Sequence, residues 1–260
     1  MKINLEGKVA LVTASSKGIG FGVAKVFSQC GAEVILLSRN KTNLEKASRE
    51  IEKAGKKPYY FVADLTNEMD LENVMKKIKR LQPSIFFFST GGPRPGAFME
   101  MDKNDWENAI SLLIRSAIYI TKQLLPSMIE NKWGRIIYST STAIKEVIPN
   151  LALSNVIRVS LAGLIRTLAK EVAIYNITVN GIMPGIIKTD RIKEIARSMA
   201  EKKGISMEES LKEIAASIPA ARLGKPEEIG YLASFLASDY ASYINGAIIP
   251  VDGGKLNSIL

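Results

Sequence analysis

The chain has 260 residues, with 35 Lys and Arg against 26 Asp and Glu for a formal net charge of +9, one cysteine and no histidine. The missing imidazole excludes Ser-His-Asp hydrolysis, histidine proton shuttling and histidine-ligated zinc. The lone Cys30 excludes CxxC metal or redox sites and fits a reducing compartment.

The segment from Met1 to Gly7 lacks the apolar core of a signal peptide, and no run approaches the ~20 apolar residues of a membrane span. The reading is a soluble cytoplasmic protein with no membrane partner. Basic residues are interleaved with acids, and the stretches 53–57 and 76–80 fall at helix ends, where cations suit the dipole. The surplus charge is therefore read as solvated surface, not as a nucleic-acid patch.

Strand-like runs rich in β-branched residues are predicted at 9–13, 34–38, 59–63, 85–89, 135–139, 177–182 and 247–251. Helical patterns fall between them at 18–30, 44–54, 70–81, 105–131, 152–175 and 226–238. Runs apolar on both faces, alternating with helices, imply a parallel sheet covered on both sides, and right-handed crossovers make it doubly wound. With no repeat, low-complexity tract or linker, residues 1–260 read as a single α/β domain. One segment breaks the alternation: two short charged helical patterns, near 191–201 and 207–216, where a strand would be due. An insertion at about 186–222, after a strand's carboxyl end, lies where open α/β sheets bind ligands, so it reads as a substrate lid. The plainer alternative is a surface helix pair.

The first strand runs into Thr13-Ala14-Ser15-Ser16-Lys17-Gly18-Ile19-Gly20, and then a helix begins. Glycines at such a turn let the backbone approach a pyrophosphate seated on the helix's N–H groups, the signature of a Rossmann-type dinucleotide fold. NAD sites usually place an acid at the end of the second strand to hold the ribose hydroxyls. Here that place is Ser38-Arg39, with Lys17 inside the glycine turn. Two cations and no carboxylate suit a 2′-phosphate, so NADP is expected over NAD.

At these residues the chain resembles the short-chain dehydrogenase/reductase family, including its 3-oxoacyl carrier-protein reductases, over nearly its whole length. The family's opening motif, Thr-Gly-x-x-x-Gly-x-Gly, is matched from Thr13 to Gly20 except at Ala14. Asp64-Leu65 resembles its adenine-contacting Asp motif, and Ser89-Thr90-Gly91-Gly92 stands where Asn-Asn-Ala-Gly is usual. Pro184-Gly185 and Thr189 resemble the turn and Thr at the nicotinamide end, and Val251-Asp252-Gly253-Gly254 the C-terminal signature. The plainer readings are a helix cap for Asp64 and a simple turn for Pro184-Gly185.

The family's chemistry uses Asn, Ser, Tyr and Lys. Laid on this chain from the Gly134 anchor, the Ser falls on Ser141, the Tyr on Ser154 and the Lys on Arg158; counted from Trp106, the Asn falls on Leu113. The resemblance thus implies a divergent branch with a degenerate tetrad, in which Arg158 still holds the nicotinamide ribose. Arg94, Tyr138, Lys145 and Glu146 are the other candidates to supply a proton. Two functions follow as expectations: an NADP-dependent oxidoreductase acting on a carbonyl or alcohol of a small or acyl-chain substrate, or a catalytically silent dinucleotide-binding or scaffold protein. The resemblance also implies a homodimer or homotetramer assembled through the helices at 105–131 and 152–175.

Overall fold

The computed structural model describes residues 2–53 and 55–258. Met1, and Ala54 at the end of the expected second helix, lie outside the described residues. Seven parallel strands form one sheet in the order β3-β2-β1-β4-β5-β6-β7: β1 Val9–Thr13, β2 Glu33–Ser38, β3 Tyr59–Val62, β4 Ile85–Phe88, β5 Gly134–Ser139, β6 Ile177–Pro184 and β7 Ile248–Val251. This order reverses at the β1–β4 junction, the switch point at whose carboxyl edge ligands bind in such sheets.

Alternate side chains of each central strand enter opposite cores. On one face, Val12, Leu36 and Phe87 pack with helices α1 (Gly18–Gln29), α2 (Lys41–Glu52) and α10 (Pro226–Ala237). On the other, Leu11, Phe86 and Tyr138 pack with α3 (Glu68–Ile78), α5 (Ser116–Glu130) and α7 (Val159–Val172). Both faces are covered, as the continuous apolar runs imply. The outermost strand departs from that expectation, since Tyr59 is 49% and Val62 42% exposed. Helices α1 and α10 cross closely because Gly22 and Gly230 carry no side chain; a Cβ on Gly22 would lie 2.4 Å from Pro226.

Two expected helices are interrupted. The run 105–131 begins earlier, as α4 (Lys103–Ile110) capped by Asp102, passes through a π turn at Ser111–Arg115 and continues as α5. The run 152–175 is divided at Arg158 into α6 (Ala152–Ile157) and α7. Taken together, Ala152–Tyr175 is long and apolar enough to cross a membrane by length and composition, contrary to the expectation that no run approaches a membrane span. Its inner residues Leu161, Ile165, Ala169 and Val172 are buried in the core, and Arg158 interrupts it, so it serves the fold as a core helix.

Between β6 and α10 lie α8 (Asp190–Lys203) and α9 (Met207–Ala216). The base of this segment is closed by a parallel bridge between Ile187 and Gly224, with Lys188 N donating to Gly224 O at 2.8 Å. Just beyond it, Arg222 grips Glu228 through both carboxylate oxygens at 2.7 and 2.9 Å, and the Lys225 N–H donates to the same group. These bonds, Arg222's first, pull the Glu228 carboxyl down to about 2 against the opposing effect of burial. A carboxyl lowered from about 4.3 contributes stability that is full above that value and is lost as pH falls toward 2. Glu228→Gln is therefore expected to lower Tm at neutral pH and to converge with the wild type in strong acid; a gap independent of pH would contradict the pairing.

Candidate active site

The carboxyl ends of β1, β4, β5 and β6 converge on one edge. At β1, the Thr13 hydroxyl donates to Ser89 O at 2.6 Å and accepts from Ser89 N at 2.8 Å, tying β1 to the end of β4. Ser15 Oγ accepts from Leu37 N at 3.0 Å, tying the turn to β2. Both hydroxyls are fully buried and engaged, so Thr13 and Ser15 shape the turn, and a ligand would meet the backbone around them. Ser16 Oγ lies 2.9 Å from Ser38 Oγ, bringing the turn against the end of β2. Helix α1 then starts with no side-chain cap and no acidic residue in its first turn. Its leading N–H groups, around Gly18, Ile19 and Gly20, form an anion-binding end. Ala14 holds φ +47° where the family's motif has glycine, a left-handed conformation that disfavours a side chain.

At the second strand's end, Arg39 is 80% exposed and pairs loosely with Asp64 at 3.8 Å. The sequence placed these residues separately, and the structure brings them together. Burial works to raise the Asp64 carboxyl, but two hydrogen bonds from Thr66 and the charge of Arg39 outweigh it and leave it lowered. Asp64 thus also caps its own turn, with Thr66 N donating at 2.8 Å. Leu65 is a buried core residue, leaving only its backbone available to a ligand. Gly91 is open, with no atom within 4 Å of a Cβ built there, and the neighbouring Thr90 Oγ1 is buried without a hydrogen-bond partner.

Beside them, the edge of β5 carries the candidate chemistry. Arg158 is 8% exposed; its Nε donates to Ser154 Oγ at 3.2 Å and its Nη1 to Thr140 O at 3.2 Å. Burial, with help from the charge of Arg191, pushes its guanidinium down to about 10, so it remains a cation at neutral pH. Ser141 follows Thr140 directly and accepts from Ala143 N at 3.1 Å, leaving its own O–H to donate. Leu113 is fully buried inside the π turn and packs with Ala109, Leu153 and Ile157, an apolar floor behind Ser154. π turns are frequent at functional sites, and no local composition marks this one in the sequence.

Three of the four candidate proton donors are otherwise engaged. The Tyr138 hydroxyl lies in the core 2.6 Å from Thr121, and burial raises its phenol far above the ordinary value. Glu146 accepts from Asn257 N, and Arg94 pairs with Asp105. The ammonium of Lys145 makes no hydrogen bond or ion pair with a described residue.

The segment after β6 closes over this edge. Pro184 ends β6, Gly185 N donates to Val251 O at 3.0 Å, and a Cβ on Gly185 would lie 2.6 Å from Asp252 Cα. The C-terminal Val-Asp-Gly-Gly turn thus supports the Pro184-Gly185 turn from below. The Thr189 side chain approaches Gly18, with its Cγ2 3.3 Å from the place of a Cβ there, and Lys17 pairs with Asp190 at 3.5 Å. The sequence reading missed Arg191, whose guanidinium lies directly against Gly92.

An uncapped helix N-terminus, a glycine turn at the sheet's switch point and cations at the second strand's end together define a dinucleotide-binding α/β protein. The family model described as enoyl-(acyl carrier protein) reductase matches residues 13–255. Oxidoreductase UcpA of Escherichia coli K12 is 35% identical over 254 residues, 96% of this chain and 95% of its own. The 3-oxoacyl-[acyl-carrier-protein] reductase FabG of Pseudomonas aeruginosa is 32% identical over 98% of this chain and 100% of its own. L-sorbose reductase from Gluconobacter frateurii, solved with NADPH and L-sorbose, superposes with a TM-score of 0.95 at 29% identity, covering all of both chains. The chain belongs to the short-chain dehydrogenase/reductase family of oxidoreductases.

Relieving the left-handed alanine is expected to stabilise the glycine turn. Ala14→Gly should raise Tm by the equivalent of about 1 kcal/mol, read by thermal unfolding; a lower Tm would show that the Ala14 methyl group packs productively.

Proposed function

We propose that the chain is an NADP-dependent oxidoreductase interconverting a carbonyl and an alcohol. The observation that carries this reading is the charge at the adenosine end: an uncapped α1 N-terminus beside Lys17, and β2 running out into exposed Arg39 where NAD sites place an acid. When bound, the nicotinamide would supply or accept the hydride at the substrate carbon.

The chain's own residues have the following parts in this reading. Gly18, Ile19 and Gly20 present N–H groups to the pyrophosphate, on a turn shaped by Thr13, Ser15, Ser16 and Lys17. Arg39 exchanges its loose, solvent-screened contact with Asp64 for a bidentate grip on the 2′-phosphate. Asp64, Leu65 and Gly91 border the adenosine, and Pro184, Gly185 and Thr189 the nicotinamide. Arg158 holds the nicotinamide ribose with fixed positive charge. Ser154 Oγ accepts from Arg158 Nε, which leaves its proton free to donate to the substrate oxygen, and Ser141 orients that oxygen. An aliphatic hydroxyl is a weaker acid than a phenol, so the proton reaches the oxygen from water relayed through Ser154. Residues 186–222 act as the substrate lid. The outward side chains Ile118, Val159 and Ile174, on or beside α5 and α7, suit a homodimer or homotetramer, and a free Cys30 fits the cytoplasm.

A second reading, a dinucleotide-binding protein without turnover, is favoured by one observation: apolar Leu113 fills the place of the family's relay residue. Two experiments separate the readings. NADPH should raise Tm more than NADH does, and Arg39→Ala should remove that difference, weakening NADPH by roughly tenfold or more as befits a lost charge-assisted hydrogen bond. Equal shifts with both cofactors would refute the NADP assignment. NADPH oxidation over a carbonyl panel should then be reduced more by Arg158→Ala than by Ser154→Ala. No oxidation of NADPH by a protein that binds it would establish the silent form.

A further inference from the structure

Two guanidinium groups share the carboxyl edge, and neither pairs with a carboxylate among the described residues. Arg158 comes from the junction between α6 and α7, and Arg191 from the first turn of α8. Strands β4 and β5 are neighbours, with Phe88 opposite Tyr138. Arg191 lies over Gly92 and points Nη2 toward Pro93 O at 3.5 Å, four and five residues beyond that pair on the β4 side. Arg158 donates to Thr140 O, two residues beyond it on the β5 side. A Cβ at position 92 would fall 1.3 Å from Arg191 Nη1, so the guanidinium would have to move aside for any side chain there.

Neither arginine forms an ion pair with a described residue, although fourteen other pairs are present among them. Arg158 feels Arg191 as a like charge, and the acid acting on Arg191 is Glu194, on its own helix and beyond ion-pair distance. Two partly desolvated cations close enough to feel one another are costly unless an anion joins them. The hydrogen bonds to Ser154 Oγ, Thr140 O and Pro93 O leave Arg158 Nη2 and Arg191 Nη1 without protein acceptors. The two guanidinium groups therefore offer one free terminal nitrogen each, and the two N–H groups of Arg158 Nη2 can serve the nicotinamide ribose and a second ligand oxygen together.

We propose that Arg158 and Arg191 clamp a carboxylate of the substrate beside Ser141 and Ser154, so that the protein acts on oxo acids or hydroxy acids and not on neutral carbonyl compounds. This assignment rests on the oxidoreductase reading and names its substrate class. The cofactor's pyrophosphate is the other source of an anion; α1 provides its own N–H groups for it at Gly18–Gly20, and titrations with and without cofactor separate the two. A carboxylate held by one nitrogen from each arginine would set the neighbouring carbonyl against the two serine hydroxyls.

The test is calorimetric titration of 2-oxobutanoate and 3-oxobutanoate against 2-oxobutanamide and methyl 3-oxobutanoate, into the protein with and without saturating NADP. The expected result is that each acid binds at least about tenfold more tightly than its neutral counterpart. Arg191→Leu should abolish the difference and Arg191→Lys should restore part of it, while NADPH affinity and Tm change little. Equal binding of acids and neutral compounds, or binding of neither, would overturn the clamp. Loss of NADPH affinity in Arg191→Leu to the same degree as loss of acid affinity would also overturn it, by assigning the anion to the cofactor. A wild type that binds no NADPH would overturn the cofactor reading alone, and the titrations without cofactor would still decide the clamp.

Discussion

A buried guanidinium with no acidic partner among the described residues is the constraint on which the carboxyl edge of this protein depends. Taking a cation out of water costs several kcal/mol unless hydrogen bonds replace its solvation. Arg158 obtains two, from Thr140 O and Ser154 Oγ. Both acceptors must be held in place, and the local structure follows from that. The chain passes from α6 to α7 at Arg158, whose backbone stays right-handed helical with its N–H on Ser154 O. Thr140 is fixed in turn by its N–H and hydroxyl on Ile182 O at 2.8 and 3.0 Å, extending the β5–β6 ladder by one residue. The apolar floor of Leu113, Leu153 and Ile157 keeps water from behind the pair, and a low local dielectric strengthens the bonds that remain.

The same edge depends on the sheet beneath it. Thr13, Ser15 and Thr140 each spend a buried hydroxyl on a neighbouring strand, so the loops leaving β1, β4, β5 and β6 are cross-tied just past the last ladder bonds. Under them, Phe86, Phe88 and Tyr138 meet edge to face, with centroids 5.8 to 6.3 Å apart. Tyr138 has its hydroxyl on Thr121 within that cluster. Its position at the end of β5 made it a candidate for chemistry, yet strand alternation points its side chain into the core and away from the edge.

The sheet was legible in the sequence because central parallel strands are buried on both faces, leaving unbroken apolar runs such as Ile-Phe-Phe-Phe at 85–88. The edge strand β3 has the same kind of composition in Tyr-Tyr-Phe-Val and yet is exposed, since residue type does not report a strand's place in the order. The glycine turn was legible because its chemistry is local. Contacts made through space were not: Arg39 meets Asp64 across 25 positions, and Arg191 meets Gly92 across 99.

In the function proposed for this chain, the site works by fixed charge. A phenol beside an ammonium can titrate near neutrality and pass its proton on. A serine hydroxyl bonded to a permanent cation cannot, but the cation lowers the free energy of negative charge developing on any oxygen that the hydroxyl contacts. The replacements are mutually consistent on this view. A relay group at position 113 would have no titrating partner to serve, and the leucine there is buried among Ala109, Leu153 and Ile157. The proposed function accordingly assigns proton delivery to water and hydroxyls, and placement of the reacting groups to arginines that stay charged throughout.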